Sequence, residues 1–160
     1  MKLLVKPRLY QEQIFANSLG KNTIIVLPTG LGKTLIAFML IAHKLQKYPA
    51  TKALFLAPTK PLAMQHLNSF KESMEGNYIA NLLTGEVSEN ERKALWNEAD
   101  VVFATPQTIK NELEKGTFTL EEVSLLIVDE AHRCVGNYAY VYVAEAYKKQ
   151  ASNKHIIALT

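Results

Sequence analysis

Several things this sequence has little of narrow what it can be. It holds a single cysteine, Cys134, in 160 residues, so no disulfide can close within the chain, which fits a reducing compartment. It has no long hydrophobic run. The most apolar stretch, Thr34 to Ala42, is ended by His43 and Lys44, well short of the ~20 apolar residues that cross a bilayer. Met1 to Pro7 carries too short an apolar segment for a secretory signal. Charge of either sign is scarce in excess, with 18 basic against 15 acidic residues, so any surface for polyanions has to be local. No internal repeat, low-complexity tract or linker breaks the chain. The expectation is a soluble, cytoplasmic single domain of ordinary size, with its own core and no membrane contact.

What is present is an alternation. Short β-branched or apolar runs at Thr23 to Leu27, Lys52 to Ala57, Tyr78 to Leu83, Val101 to Ala104, Ser124 to Val128 and His155 to Leu159 read as strands. Longer amphipathic runs at Arg8 to Leu19, Lys33 to Lys47, Pro61 to Met74, Glu89 to Glu98, Gln107 to Leu113 and Tyr140 to Gln150 read as helices. In the first helix Leu9, Ile14, Phe15 and Leu19 fall on roughly one side, and Gly116 to Glu122 reads as an exposed loop. The strands lack an apolar/polar alternation, as expected when both faces are buried. The pattern predicts an α/β fold in three layers, a mostly parallel sheet with helices on both faces.

Three strand candidates run directly into Pro-containing turns that open a helix: Leu27-Pro28-Thr29-Gly30, Ala57-Pro58-Thr59-Lys60 and Ala104-Thr105-Pro106-Gln107. In a parallel sheet all three lie on the carboxyl edge, where open α/β sheets bind ligands. One such turn means only that proline stops a strand. Three similar polar turns on one edge favour a binding surface.

Pro28-Thr29-Gly30-Leu31-Gly32-Lys33-Thr34 sits between a strand and a helix, the setting a phosphate loop requires. Gly30 and Gly32 let backbone N–H groups approach phosphate oxygens, and the next helix aims its positive end at them. Lys33 can reach the β- and γ-phosphates, and the Thr34 hydroxyl can join the shell of a Mg²⁺ ion. Leu27 stands where the full motif has its first glycine. Gly-Lys-Thr alone arises by chance, so its position after a strand carries the reading.

Leu125 to Val128 is an apolar strand that ends in Asp129 and Glu130. Delivered to the same edge, Asp129 can hold Mg²⁺ through water, and Glu130 can orient or deprotonate an attacking water. Asp-Glu is also an ordinary helix cap with a first-turn acid; the upstream phosphate loop favours the nucleotide reading. Neither His132 with Cys134 nor His43, His66 and His155 has zinc-ligand spacing.

With Asp129-Glu130-Ala131-His132 in place, the sequence resembles the superfamily-two helicases that carry an Asp-Glu-Ala-His box. Within them it is most similar to the subfamily of archaeal fork-structure helicase–nucleases and Fanconi-anaemia M translocases. The matching stretches are Pro7 to Gln11, Val26 to Leu35, Leu56 to His66, Ala104 to Ile109 and Val128 to Tyr140. The resemblance implies a RecA-like P-loop fold, with ATP and Mg²⁺ as ligand and cofactor. It assigns Arg8, Gln11, Pro28, Thr29, Gly30, Leu31, Gly32, Lys33 and Thr34 to ATP, with Gln11 reading adenine. Lys33, Asp129 and Glu130 carry the chemistry, with Thr34 and Asp129 on the metal. His132 couples the nucleotide to the nucleic-acid side. Pro58, Thr59, Lys60, Gln65, Thr84, Gly85, Thr105, Pro106 and Gln107 grip a strand's phosphates, contacts that carry little sequence information.

Ile157-Ala158-Leu159-Thr160 looks like the opening of the family's coupling motif. The resemblance therefore places a second RecA-like domain, with the arginines that complete the ATP site, outside these 160 residues. It implies a motor on forked or branched DNA, in repair or replication. An RNA helicase or double-stranded-RNA translocase, or a module that holds nucleotide without turnover, stays open on the residues alone.

Overall fold

Packing a parallel sheet between helices needs strands that are apolar on both faces, and the central strands here are. The structure, a computed structural model, describes residues 1–28 and 32–160. In chain order the elements are β1 (Lys2–Leu3), α1 (Leu9–Ser18), β2 (Thr23–Ile25), α2 (Lys33–Lys47), β3 (Lys52–Leu56), α3 (Lys60–Ser73), β4 (Met74–Glu75), β5 (Ala80–Leu83), α4 (Glu89–Glu98), β6 (Val101–Ala104), α5 (Pro106–Lys115), β7 (Val123–Val128), a 3₁₀ turn (Ala131–Cys134), α6 (Tyr138–Gln150) and β8 (Ile156–Leu159).

Six strands form one sheet in the order β2-β8-β7-β3-β6-β5, and every neighbouring pair in it is parallel. Successive side chains point to opposite faces. Ile25, Ala53, Phe55, Val101, Phe103, Leu125, Ile127, Ile157 and Leu159 face a core closed by α1, α2 and α3. Leu54, Leu56, Val102, Ala104, Leu126 and Val128 face a second core closed by α4, α5 and α6. The three-layer arrangement is therefore as the residue pattern predicts. No described helix is long and apolar enough to cross a membrane.

Four local features depart from the sequence reading. Leu3 and Met74 belong to a two-residue antiparallel pair, β1 with β4, apart from the main sheet. Leu9 points to solvent at 70% exposure, whereas Ile14, Phe15 and Leu19 pack on the first core. The helix expected to end at Leu113 runs to Lys115 and is stopped by Gly116 at φ 73, a left-handed position that favours glycine. The loop after it is not simply exposed. Phe118 lies flat on Trp96 with ring centroids 3.9 Å apart, and Leu120 is fully buried, so the loop acts as a lid on the second core.

Candidate nucleotide and nucleic-acid site

Register fixes which residues meet at the carboxyl edge. Val128 pairs with Leu56 on β3, and Leu56 pairs with Ala104 on β6, which pairs with Leu83 on β5. The residues that follow these four strands, Asp129, Ala57-Pro58-Thr59, Thr105 and Thr84, thus leave the sheet at one level. The ladder continues on the other side: Leu27 N–H donates to the Thr160 carbonyl at 3.3 Å, and Thr160 N–H to that of Ile25 at 3.0 Å. Helices α2, α3 and α5 all start at this edge, so three positive helix ends face it.

Thr29, Gly30 and Leu31 of the expected phosphate loop lie outside the described residues. Its end is well defined by Gly32, the residue before α2, at φ 73. A Cβ there would meet the Gln11 amide nitrogen, so that side chain would have to give up its place, and the left-handed backbone favours glycine. Gln11 is 5% exposed rather than a solvated helix residue. Its Oε1 accepts from the Arg8 backbone N–H at 2.8 Å, and its Nε2 donates to the Gly32 carbonyl at 3.1 Å. The side chain assigned to adenine thereby ties α1 to the phosphate loop, and Arg8, Gln11 and Gly32 line one shallow cavity of about 190 Å³ with Leu35. Lys33 and Thr34 open α2, which packs across β3, β7 and β8, so its start lies over the end of the strand that carries Asp129. Among the described residues Lys33 has no ion-pair partner.

Asp129 is 3% exposed. Its N–H donates to the Leu56 carbonyl at 2.8 Å, continuing the β7–β3 ladder by one residue. Its Oδ2 accepts a 2.7 Å hydrogen bond from Nε2 of His66, on α3. The His66 ring rests against Phe55, centroids 4.8 Å apart. Oδ1 of Asp129 has no hydrogen-bond partner among the described residues, which leaves one carboxylate oxygen for a metal-bound water. Glu130 adopts φ 54, a left-handed conformation uncommon for a non-glycine residue and a recurrent mark of functional sites. Its Oε2 lies 3.0 Å from Nε2 of His132, and Nδ1 of His132 lies 3.0 Å from the Thr160 hydroxyl. A continuous polar chain thus runs from Glu130 through His132 to the end of β8.

The remaining predicted residues gather at the β3, β5 and β6 end of the edge. Lys60, Thr84, Gly85, Glu86, Thr105 and Thr108 line a cavity of about 200 Å³. Lys60 pairs with Glu86 at 2.5 Å across it. Thr59 and Thr105 cap their helices by accepting from Leu62 and Thr108 N–H, each at 3.4 Å. Gln107 is exposed, bonded to Asn111 at 2.9 Å; Gln65 is exposed on α3. Pro58 is half-buried, and Pro106 is buried as the first residue of α5. Pro106 therefore shapes the turn and presents little surface of its own.

The model of the DEAD/DEAH box helicase family matches residues 8–160. The chain belongs to this family. The crystal structure of the Pyrococcus furiosus Hef helicase domain superposes on the whole of this helicase domain with TM-score 0.93 and 53% identity, over 34% of that chain, which confirms the RecA-like fold. A protein of Methanocaldococcus jannaschii named as an ATP-dependent RNA helicase is 43% identical over 98% of the chain and 20% of its own length. The ATP-dependent DNA helicase mph1 of Neurospora crassa is 43% identical over 94% of the chain and 13% of its length. The Fanconi anemia group M protein homolog of Mus musculus is 38% identical over 94% and 8%. The chain spans a fifth or less of each of these last three relatives and about a third of the Hef helicase domain chain.

Two site residues of the helicase domain escape a reading of the sequence. His66 closes the matched stretch Leu56 to His66, but no role falls to it there, since its partner is 63 residues away. Tyr140 is buried and directs its hydroxyl at the Asp129 carbonyl, at 3.4 Å; burial drives its pKa far above the usual phenol value. Its place in the run Val135 to Tyr140, matched to the subfamily, was the one available signal.

Proposed function

We propose that this chain is the ATP-binding first RecA-like domain of a motor that couples ATP hydrolysis to movement along forked or branched DNA. The observation that carries the reading is the shared carboxyl edge. Asp129 and the turns after β3, β5 and β6 leave the sheet at one level, Leu27 continues the ladder beside Thr160, and a polar chain runs from Glu130 through His132 to Thr160.

The residues present fit Mg·ATP. Gly32 would supply a close backbone approach, α2 a positive end, and Lys33, which has no ion-pair partner among the described residues, a cation for the β- and γ-phosphates. Thr34 and the free oxygen of Asp129 would hold Mg²⁺, which when bound would neutralise charge on the phosphates. Glu130 would accept the proton of the attacking water, and His132 would hold that carboxylate in place. His66 keeps Asp129 oriented. On the nucleic-acid side, Lys60 and the amides at the starts of α3 and α5 would contact backbone phosphates, which position a strand without reading its sequence.

The names of relatives point both ways on the nucleic acid, RNA for the Methanocaldococcus protein and DNA for mph1; we favour DNA. In the longer protein, ATPase stimulation by forked DNA but not by duplex RNA is the expected result; the reverse would transfer the assignment to RNA. The 160-residue chain itself should bind Mg·ADP weakly and turn ATP over at a negligible rate, since a second RecA-like domain is proposed to complete the site. Lys33→Ala should abolish that binding. Unchanged affinity would show that the nucleotide sits elsewhere.

A further inference from the structure

The edge of the sheet opposite the ATP site holds a second concentration of positive charge. A cavity of about 310 Å³ lies between the end of α1, the end of α2 and the segment leading into β8. His43, Lys44, Lys47, Tyr48, Lys154 and His155 line it, and no carboxylate does. Rim lysines alone would be an ordinary solvated face, and basic residues in a last helical turn often just complement the carbonyl end. Two buried groups go beyond that. Lys44 is 7% exposed and makes no hydrogen bond or ion pair among the described residues; its ammonium has only the Tyr48 ring, 5.3 Å away. His155 is 2% exposed. Its Nε2 lies 2.7 Å from the Lys21 carbonyl and 3.0 Å from that of Ser18. Both partners are acceptors, so Nε2 carries the proton. Its Nδ1, an acceptor in this tautomer, is buried with no partner among the described residues.

The Lys44 stem is buried while its ammonium stays accessible within the cavity, so its charge is available to an anion that enters. Burial lowers the pKa of Lys44, and burial together with the nearby Lys44 lowers that of His155. An Asn153 hydrogen bond and the Lys47 charge hold the Tyr48 phenol below its usual pKa. Lys44, Lys47 and Lys154 thus meet in one cavity that no carboxylate lines.

We propose that this cavity is an oxyanion site of phosphate class, anchored by Lys44, with Lys47, Lys154 and the Tyr48 hydroxyl closing on the oxygens. Several converging donors match a tetrahedral anion with acceptor oxygens on every side. The same chemistry can come from free inorganic phosphate or from a nucleic-acid backbone.

The test is an amide-resolved NMR titration of the 160-residue protein at constant ionic strength. The probes are inorganic phosphate, a 5′-hydroxyl oligothymidylate that offers phosphodiesters only, and chloride as control. Resonances of Lys47, Tyr48 and Asn153 report this cavity; those of Gly32 to Thr34 report the nucleotide site separately. Saturable phosphate-induced shifts in the first set are expected, with Lys44→Met weakening binding at least tenfold and Lys154→Gln severalfold in proteins that keep the native spectrum. Movement of the same amides by the oligonucleotide, in competition with phosphate, would assign the site to a nucleic-acid backbone; response to phosphate alone would assign it to the free ion. Shifts that chloride reproduces, or phosphate binding that is unchanged in both variants, would overturn the proposal.

Discussion

Replacing His66 tests the link between α3 and the metal-side carboxylate. In His66→Leu the ring volume is roughly kept against Phe55, but the donor to Asp129 is lost. Both side chains are nearly buried, at 11% and 5% exposure, so the carboxylate oxygen left behind has little water to replace His66. A hydrogen bond to a charged group contributes about 1.5–3 kcal/mol, and stranding its buried partner adds to that, so a loss of about 2–4 kcal/mol is expected. For a domain of this size each kcal/mol moves Tm by about 2–4 °C, giving a drop of about 4–16 °C by calorimetry. His66→Gln, which can still donate, should recover most of it. The same pair should separate in Mg·ADP titrations, with the leucine variant binding more weakly because Asp129 is free to turn. A leucine variant that melts with the wild type and binds Mg·ADP as tightly would refute the claim that His66 holds Asp129.

Gly32→Ala should weaken nucleotide binding by more than tenfold in a titration, because the new methyl meets Gln11 and the backbone at φ 73 costs about 1–2 kcal/mol for a non-glycine residue; adding Gln11→Ala should relieve only the collision. Glu86→Gln should free Lys60 and tighten single-stranded DNA binding severalfold in the longer protein, whereas Lys60→Ala should lower the slope of log affinity against log salt by about 1. The Tyr147 hydroxyl, buried against His155, has its pKa pushed up to about 12. Its folded value exceeds the unfolded ~10. The group's contribution is therefore complete below pH 10 and lost as pH rises from 10 to about 12. Urea melts across that window should fall more steeply for the wild type than for Tyr147→Phe.

The parallel sheet was legible because Lys52 to Leu56, Val101 to Ala104 and Val123 to Val128 are apolar at every successive position or nearly so, a pattern only a doubly covered strand tolerates. The common edge of Pro28, Pro58 and Pro106 was legible from turn chemistry that repeats three times. What stayed hidden depends on pairing across distance. Nothing local marks His66 as the partner of Asp129, or His155 as a side chain bonded to carbonyls at Ser18 and Lys21. Leu9 fits a helical stripe but lies on the first turn of α1, beyond the reach of the core. Phe118 and Leu120 sit in a segment with turn composition, and only the flat face of Trp96 and the second core draw them inward. The Gln11 amide was legible as special, but its grip on Gly32 was not, since it joins two segments 21 residues apart.

The central claim is that nucleotide and metal meet at the carboxyl edge of the sheet, between the start of α2 and the end of β7. Paramagnetic broadening of backbone amides by Mn²⁺·ADP tests it most directly. The account predicts loss of signal at Gly32 to Thr34 and at Asp129 to Ala131 together, with Lys44 to Tyr48 at the opposite edge unaffected. Broadening at only one of those two segments, or at the opposite edge, would contradict it.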